Sequence, residues 1–177
     1  ENLDTSSGPA KHARTLTGHL NTFLASMQAY YAGALGIGYI NIMYAPYVEH
    51  MSQEEMKQEA QHLIFSGSQS AFSRGGQTLF LDFNIHTGVP NYLKKIQAVG
   101  PGGKYTGRTY GEYELASQRF TKAMLDVWRE GDCYGHVFAF PKCDFHISQD
   151  TYKDPKQYEL LEYTAQIASE NGVPYFV

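Results

Sequence analysis

The sequence has little cysteine, no long hydrophobic run and no excess of basic residues. Its 177 residues include only two cysteines, Cys133 and Cys143, which lie in neither a C-x-x-C pair nor a zinc-finger spacing. We interpret both as reduced thiols, as is usual in a cytoplasmic protein. The sequence contains no run of about 18 apolar residues, so no transmembrane helix is indicated. The net charge of −4 disfavours binding to nucleic acid or to an anionic membrane surface.

Common catalytic signatures are also missing. The chain has no G-x-x-x-x-G-K-[ST] phosphate loop, no G-x-G-x-x-G motif after a strand, no H-E-x-x-H and no G-x-S-x-G. The GPGGK run at residues 100–104 resembles part of a phosphate loop but lacks the following serine or threonine. The glycines of residues 32–38 are more typical of a turn than of a phosphate cradle. Neither run is therefore predicted to bind a triphosphate.

The chain has enough apolar material for a packed domain. Hydrophobic residues make up 42% of it, including 14 tyrosines and 10 phenylalanines. Apolar periodicity and turn residues predict alternating helices and strands. The predicted helices span residues 10–31, 52–74, 110–130 and 156–171, and the predicted strands span residues 39–45, 77–86, 136–147 and 173–177.

The alternation predicts an α/β fold in a single segment, residues 1–177. Helices of this length between strands require parallel pairing with right-handed crossovers. Either an open doubly wound sheet or part of a barrel satisfies that requirement. Residues 1–9 are expected to form an N-terminal loop, and residues 88–111, rich in glycine and containing two prolines, a long loop.

The strand predicted over residues 77–86 has an unusual polar face. Its apolar side consists of Leu79, Leu81, Phe83 and Ile85. Its other side carries Asp82, Asn84 and His86, where a solvated sheet usually carries lysine, glutamate and threonine. Because parallel sheets place sites at the carboxyl ends of strands, His86, Lys142 and Asp144 are expected there. The residues alone predict a small-molecule site, with an anionic ligand near Lys142.

Two other kinds of site are less favoured. His86, His136 and His146 could hold a metal if the strands over residues 77–86 and 136–147 are neighbours, but hydrogen-bonded histidines are commoner. Cys133 follows a helix C-terminus, and Cys143 points away from Lys142, so neither has the cationic surroundings of a reactive thiolate. We expect both cysteines to be structural.

Three long segments, in order over nearly the whole chain, carry a family resemblance. They read PAKHARTLTGHLNTFLASMQAYYAGALGIGYINIMYAPYVEHMS, then SQSAFSRGGQTLFLDFNI, then GDCYGHVFAFPKCDFHI followed by DPKQYELLEYTAQIASENGVPYF. These segments resemble the catalytic subunit of the anaerobic, class III ribonucleoside-triphosphate reductases, which are glycyl radical enzymes. The resemblance implies that the strands are consecutive members of a ten-stranded α/β barrel.

The resemblance also implies a reaction and its partners. The family removes the ribose 2′-hydroxyl of a ribonucleoside triphosphate by radical chemistry, in which a C-terminal glycyl radical generates a cysteine thiyl on a finger loop. An iron–sulfur activase installs that radical with S-adenosylmethionine, formate or a thiol system supplies electrons, and a C-terminal zinc site is present. Deoxynucleoside triphosphates and ATP act as effectors of what is expected to be a cytoplasmic homodimer.

The finger-loop cysteine, the radical glycine and the zinc ligands of that family have no counterpart here. Cys133 and Cys143 do not match those positions. We therefore expect a central fragment, with no catalytic residue, cofactor or metal of its own, that does not reduce ribonucleotides alone. The alternative is a non-catalytic scaffold or a small nucleotide-binding α/β module.

Few site residues carry over from the family. Gln77 and Thr78 of GGQT and Lys142 of FPK match its motifs, and we predict that they bind substrate together with Asp82 and Asn84. The alternative is that the glycines and proline of these motifs only shape the barrel.

The first predicted helix resembles the region where the family dimerises and binds effectors. Gln28 and Tyr31, at the end of that helix, are the candidate contacts.

Overall fold

Helices and strands alternate along much of the chain in the computed structural model, which describes residues 5–69 and 79–177. The helices are α1 (Ala13–Gln28), α2 (Ile40–Val48), α3 (Gln53–Gln69), α4 (Asn91–Lys94), α5 (Glu114–Glu130), α6 (Gln149–Lys153) and α7 (Pro155–Asn171). The strands are β1 (Leu35–Ile37), β2 (Leu81–His86), β3 (Gln97–Gly100), β4 (Lys104–Thr109), β5 (Lys142–His146) and β6 (Tyr175–Phe176).

The main sheet has four parallel strands in the order β1-β2-β5-β6. In its central pair, Asp82 lies beside Lys142 and His86 beside His146. The α/β class and the parallel pairing predicted from the alternation are therefore confirmed. The described strands form an open sheet, so the ten-stranded barrel is not shown by this segment.

One face of the sheet is the hydrophobic core. The predicted apolar side of β2 is confirmed, because Leu79, Leu81, Phe83 and Ile85 are fully buried. Helix α5 packs across this face against α2, α3 and α7. Its Trp128 contacts Phe83 edge to face and donates a hydrogen bond from Nε1 to the carbonyl oxygen of Pro141 at 3.1 Å. The helices thus cover the apolar face.

The predicted strand over residues 39–45 is wrong, because this stretch forms α2. The strand lies earlier, at Leu35–Ile37, inside the predicted turn. Nearly all of α2 is buried, so its apolar residues do not alternate with polar ones, and a short continuous apolar run fits either a helix or a strand. Pro46, the residue after the predicted strand, lies within the helix.

Residues 88–111 are not one long loop. They contain α4 and an antiparallel hairpin of β3 and β4. The hairpin is fixed to the body of the molecule, since Tyr47 donates a hydrogen bond to the carbonyl oxygen of Gly100 at 3.0 Å and Gly102 donates from its backbone to Ala10 at 2.7 Å. The two strands are short and rich in glycine, so they leave little periodicity in the sequence.

Several helix ends carry capping residues. Ser52 and Glu55 exchange backbone-to-side-chain hydrogen bonds of 2.7 and 3.2 Å at the start of α3. Asp154 accepts from two backbone N–H groups at the start of α7, and Gly172 ends that helix with φ 73°. Among the described helices, none combines the length and apolar character needed to cross a membrane.

Candidate functional site

The second face of the sheet is polar and half-buried. It pairs Asp82, Asn84 and His86 of β2 with Lys142, Asp144 and His146 of β5. The structure therefore brings together three of the predicted substrate-binding residues, Asp82, Asn84 and Lys142. The expected position of Lys142 at a carboxyl end is wrong, because β5 begins after Pro141 and Lys142 is its first residue. His146 takes that place beside His86.

Aromatic rings stack at the carboxyl end of β2 and β5. The rings of His86 and His146 are 4.5 Å apart between centroids and inclined by 16°. Tyr39 stacks on the other side of His86 at 4.8 Å, and its hydroxyl lies 2.6 Å from that of Tyr92. Asn84 Oδ1 accepts a hydrogen bond from His146 Nε2 at 2.5 Å, which places the proton of a neutral His146 on Nε2. These contacts fix both imidazole planes.

Both imidazoles are neutral at pH 7. Burial, together with the neighbouring His146, lowers the pKa of His86 to about 4. Burial also lowers the pKa of His146, although the Asp144 carboxylate partly offsets it. A neutral imidazole offers one N–H donor and one lone-pair acceptor, so the pair can both donate and accept hydrogen bonds.

The backbone of His86 is clamped by side chains from two helices. Asn41 of α2, which is fully buried, accepts from His86 N at 3.1 Å and donates to His86 O at 3.0 Å. Thr121 of α5 also donates to His86 O, at 3.2 Å. Because β1 ends at Ile37, the amide of Asn41 takes the place of a neighbouring strand. The backbone N–H and C=O of His86, the last residue of β2, therefore both have side-chain partners.

A cavity of about 330 Å³ opens at this end of the sheet. Its polar lining comes from His86, Thr87, Asn91, His146, Ser148, Asp150 and Gln157. Thr87 donates to Gln157 Oε1 at 2.8 Å, which ties the loop after β2 to α7. Gly88 lies close beside it, since a Cβ there would be 2.7 Å from Gln157 Nε2 and would displace that amide.

The amino end of the polar face carries charge. Burial and the nearby Asp144 raise the pKa of Asp82, although Lys142 opposes this effect. Asp82 Oδ1 is buried and has no hydrogen-bond partner within the described ranges. Lys142 Nζ lies 5.6 Å from the ring centroids of both Phe140 and Tyr175, within the range of cation–π contacts. This end offers charged groups that make no hydrogen bond or close ion pair with the described residues.

The remaining predicted site residues lie elsewhere. Gln77 and Thr78 are outside the described residues. Gln28 is the last residue of α1, and Tyr31 follows it with 58% of its surface exposed. Their proposed contact with effectors or a second subunit stays a prediction.

The other candidate metal ligand and the two cysteines have the following positions. His136 precedes β5 and so does not lie on the strand that carries His146, and residues 5–69 and 79–177 contain no group of three potential metal ligands. Cys143 is buried in the core, and burial raises the pKa of its thiol, which fits a structural residue. Cys133 is exposed.

Sequence reasoning missed the groups that support His86. Asn41 lies in the stretch predicted as a strand, and Thr121 lies in the helix predicted over residues 110–130, so nothing in the sequence connected either residue with His86. Tyr39 reaches the site from a turn, and Tyr92 reaches it from the stretch predicted as a long loop over residues 88–111. A buried asparagine within an apolar run was the one available signal, since such a side chain needs partners.

The chain matches the family model described as anaerobic ribonucleoside-triphosphate reductase over residues 1–177. None of the curated protein sequences compared with it matches. Its fold is similar to that of the anaerobic ribonucleotide reductase from Thermotoga maritima with citrate in the active site, at 21% identity and a TM-score of 0.69, over 94% of this chain and 30% of that one.

Two further structures of that Thermotoga maritima enzyme are similar. The complex with dATP and CTP is 18% identical with a TM-score of 0.70, over 94% of this chain and 28% of that chain. The form with dATP bound in the specificity site is 20% identical with a TM-score of 0.65, over 94% and 29%. The chain thus spans less than a third of the length of these proteins.

Proposed function

Because the chain belongs to the anaerobic ribonucleoside-triphosphate reductase family, we propose that it is one segment of such an enzyme and forms part of its ribonucleotide-binding wall. The match over residues 1–177 carries this proposal. In the whole enzyme, the four-stranded sheet would be part of a ten-stranded barrel, with its helices outside and its polar face inside. The open edges of β1 and β6 are where such a barrel would continue.

The polar face supports this orientation. Side chains that the described protein leaves unpaired are expensive to bury unless a ligand satisfies them. Asp82 and Lys142 are such groups, and Asn84 lies between them and the histidine pair. Lys142 would attract the negative charge of a nucleotide, and the neutral amide and imidazoles would contact its uncharged parts. Gln77 and Thr78 are proposed to contribute to the same wall.

The radical chemistry belongs to other parts of the enzyme in this proposal. A glycyl radical, installed by an iron–sulfur activase with S-adenosylmethionine, would supply the one-electron oxidation that starts the reaction. The described residues do not fit the role of holding a zinc ion or a cluster, since they provide no set of three ligands. Cys143 is enclosed in the core and does not fit the role of a substrate-facing thiol. This segment binds and orients substrate.

The same proposal assigns partners. The substrate is a ribonucleoside triphosphate, and deoxynucleoside triphosphates and ATP are effectors. Gln28 and Tyr31 are the proposed effector or dimer contacts, because α1 resembles the region where the family dimerises and binds effectors, and Tyr31 is exposed there. The whole protein would act as a cytoplasmic homodimer that the activase modifies.

The test is turnover by the complete protein that carries this segment. After anaerobic activation, with the glycyl radical verified by electron paramagnetic resonance, chromatography should detect deoxynucleotide formed from a ribonucleoside triphosphate. Lys142→Met should lower kcat/KM about tenfold, as loss of a charge-assisted contact does. Lys11→Met, at an exposed position far from the sheet, should leave it unchanged. An intact radical without product would refute the proposal, and nucleotide binding without turnover would favour a scaffold.

A further inference from the structure

His86 is held more firmly than a residue at a strand end requires. Its backbone makes three hydrogen bonds to Asn41 and Thr121, and its ring lies between those of Tyr39 and His146. Tyr39 has φ 55°, a left-handed conformation that is unfavourable for a bulky residue. Strained residues of this kind concentrate at binding and catalytic sites. The protein therefore tolerates an unfavourable backbone conformation at Tyr39, and the contacts around it hold the His86 imidazole in one orientation.

The ring nitrogens of His86 remain available. Within residues 5–69 and 79–177, no hydrogen bond is made to either nitrogen, whereas His146 Nε2 is engaged by Asn84. The His86 ring lines the 330 Å³ cavity. An imidazole that is fixed in place, lines a cavity and has no hydrogen-bond partner among the described residues has the geometry of a preorganised ligand contact.

The cavity lining indicates what kind of group His86 would contact. Hydroxyl and amide groups of Thr87, Asn91, Ser148 and Gln157 line it, and no lysine or arginine is among its described lining residues. Its one carboxylate, Asp150, lies 3.4 Å from the side-chain amide of Asn91. Such a lining suits an uncharged group that both donates and accepts hydrogen bonds, and it does not suit a phosphate.

We propose that His86 is a substrate-binding residue whose unprotonated ring nitrogen accepts a hydrogen bond from a ribose hydroxyl of the nucleotide. This inference rests on the proposed function and adds a residue that the family motifs in the sequence do not point to. The lowered pKa of His86 keeps the accepting lone pair free throughout the neutral range. Tyr39 and Asn41 are positioning residues, since they hold His86 without lining the cavity themselves.

The experiment compares nucleotides that differ by one hydroxyl in the complete protein. Calorimetric titrations use CTP, 2′-deoxy-CTP and 3′-deoxy-CTP, with a constant excess of dATP to keep the proposed effector site occupied. His86→Phe preserves a stacking ring without nitrogens, His86→Gln restores an acceptor, and His136→Phe is the matched control at an exposed histidine that precedes β5. For His86→Phe we expect about tenfold weaker CTP binding, partly restored in His86→Gln and absent in His136→Phe.

The hydroxyl comparison identifies the contact itself. One of the two deoxy analogues should bind the wild type about tenfold more weakly than CTP does, yet bind wild type and His86→Phe equally, because the lost hydroxyl and the lost nitrogen are partners. Equal CTP affinity in wild type and His86→Phe, or equal penalties for each analogue in both proteins, would overturn the inference. A wild type that binds no ribonucleotide would instead refute the proposed function, and the inference with it.

A second measurement remains decisive if His86→Phe fails to fold. In wild-type protein with ¹⁵N-labelled histidine, CTP should shift the resonance of the unprotonated His86 nitrogen, and the effective analogue should not. No shift of that nitrogen at saturating CTP would rule out the contact.

Discussion

The two ends of the polar sheet face are built differently. At the carboxyl end, the His86 ring lies within an aromatic stack, and its backbone is bonded to Asn41 and Thr121. At the amino end, Asp82 and Lys142 lie side by side, but neither makes a hydrogen bond or a close ion pair with the described protein. The protein's own contacts fix the carboxyl end, whereas the charges at the amino end have no partner among the described residues.

This difference predicts where the molecule is sensitive to substitution. A preorganised group is held by buried contacts, so removing a contact should cost folding stability. Unpaired charges gain little from the folded state, so removing one should cost nothing or stabilise the protein.

The largest effect is expected for Asn41→Ala. The substitution leaves the N–H and the C=O of His86 without their buried partner, and we expect a loss of about 3 kcal/mol in the free energy of unfolding. Urea denaturation followed by circular dichroism measures it. Asn91→Ala, at an exposed side chain, is the control and should change stability by less than about 0.5 kcal/mol. Similar losses for both variants would show that Asn41 is no special support.

The second prediction concerns pH and the same end of the sheet. The pKa of His86 is about 4 in the folded state and 6.5 when unperturbed, so the unfolded chain takes up a proton first as pH falls. Stability should therefore be full above about pH 6.5 and decline toward pH 4, by about 2 kcal/mol after allowance for solvent screening. His146, whose pKa is also lowered, contributes in the same direction.

Unfolding in urea at pH 7, 6 and 5 tests this dependence. His86→Phe should flatten the decline, whereas His50→Phe, which changes an exposed histidine that makes no ion pair within residues 5–69 and 79–177, should leave it unchanged. An identical decline in wild type and His86→Phe would mean that other groups cause the acid sensitivity.

The sequence predicted the sheet better than the site, and the residues explain why. The alternation of Leu81, Phe83 and Ile85 with Asp82 and Asn84 is a local pattern, and it correctly separated the core face from the polar face. Parallel pairing followed from the spacing of elements. These properties depend on neighbours along the chain.

The residues that support His86 are distant from it in the sequence. Asn41 lies 45 residues from His86, and Thr121 lies 35 residues away, so no local period connects them. Asn41 is also on a fully buried helix, where the apolar run has no distinguishing periodicity. The position of Lys142 was missed because the predicted strand began at residue 136, whereas β5 begins after Pro141.

The smallest effect is expected at the amino end, for Asp82→Asn. Burial and the nearby Asp144 raise the pKa of Asp82, so its charged form is less favourable in the folded protein than in the unfolded chain. The stabilising contribution of this carboxyl is present only below its unfolded pKa and is lost as pH rises, so the charge is a net cost at pH 7. Removing it should raise stability by about 0.5 kcal/mol at pH 7, because a half-exposed carboxylate is largely screened by water. The gain should disappear in acid, where aspartate is protonated in both states.

Thermal unfolding at pH 7 and pH 3.5 measures the stability of Asp82→Asn relative to the wild type. Glu162→Gln, on the exposed side of α7, is the control and should show no gain in stability. A loss of stability in Asp82→Asn would mean that the folded protein pairs this carboxylate after all, and the two ends of the face would then be alike. Higher stability in Asp82→Asn together with lower stability in Asn41→Ala would show that internal contacts stabilise the histidine end of the face. The charged end would then lack such contacts and be free to bind a ligand.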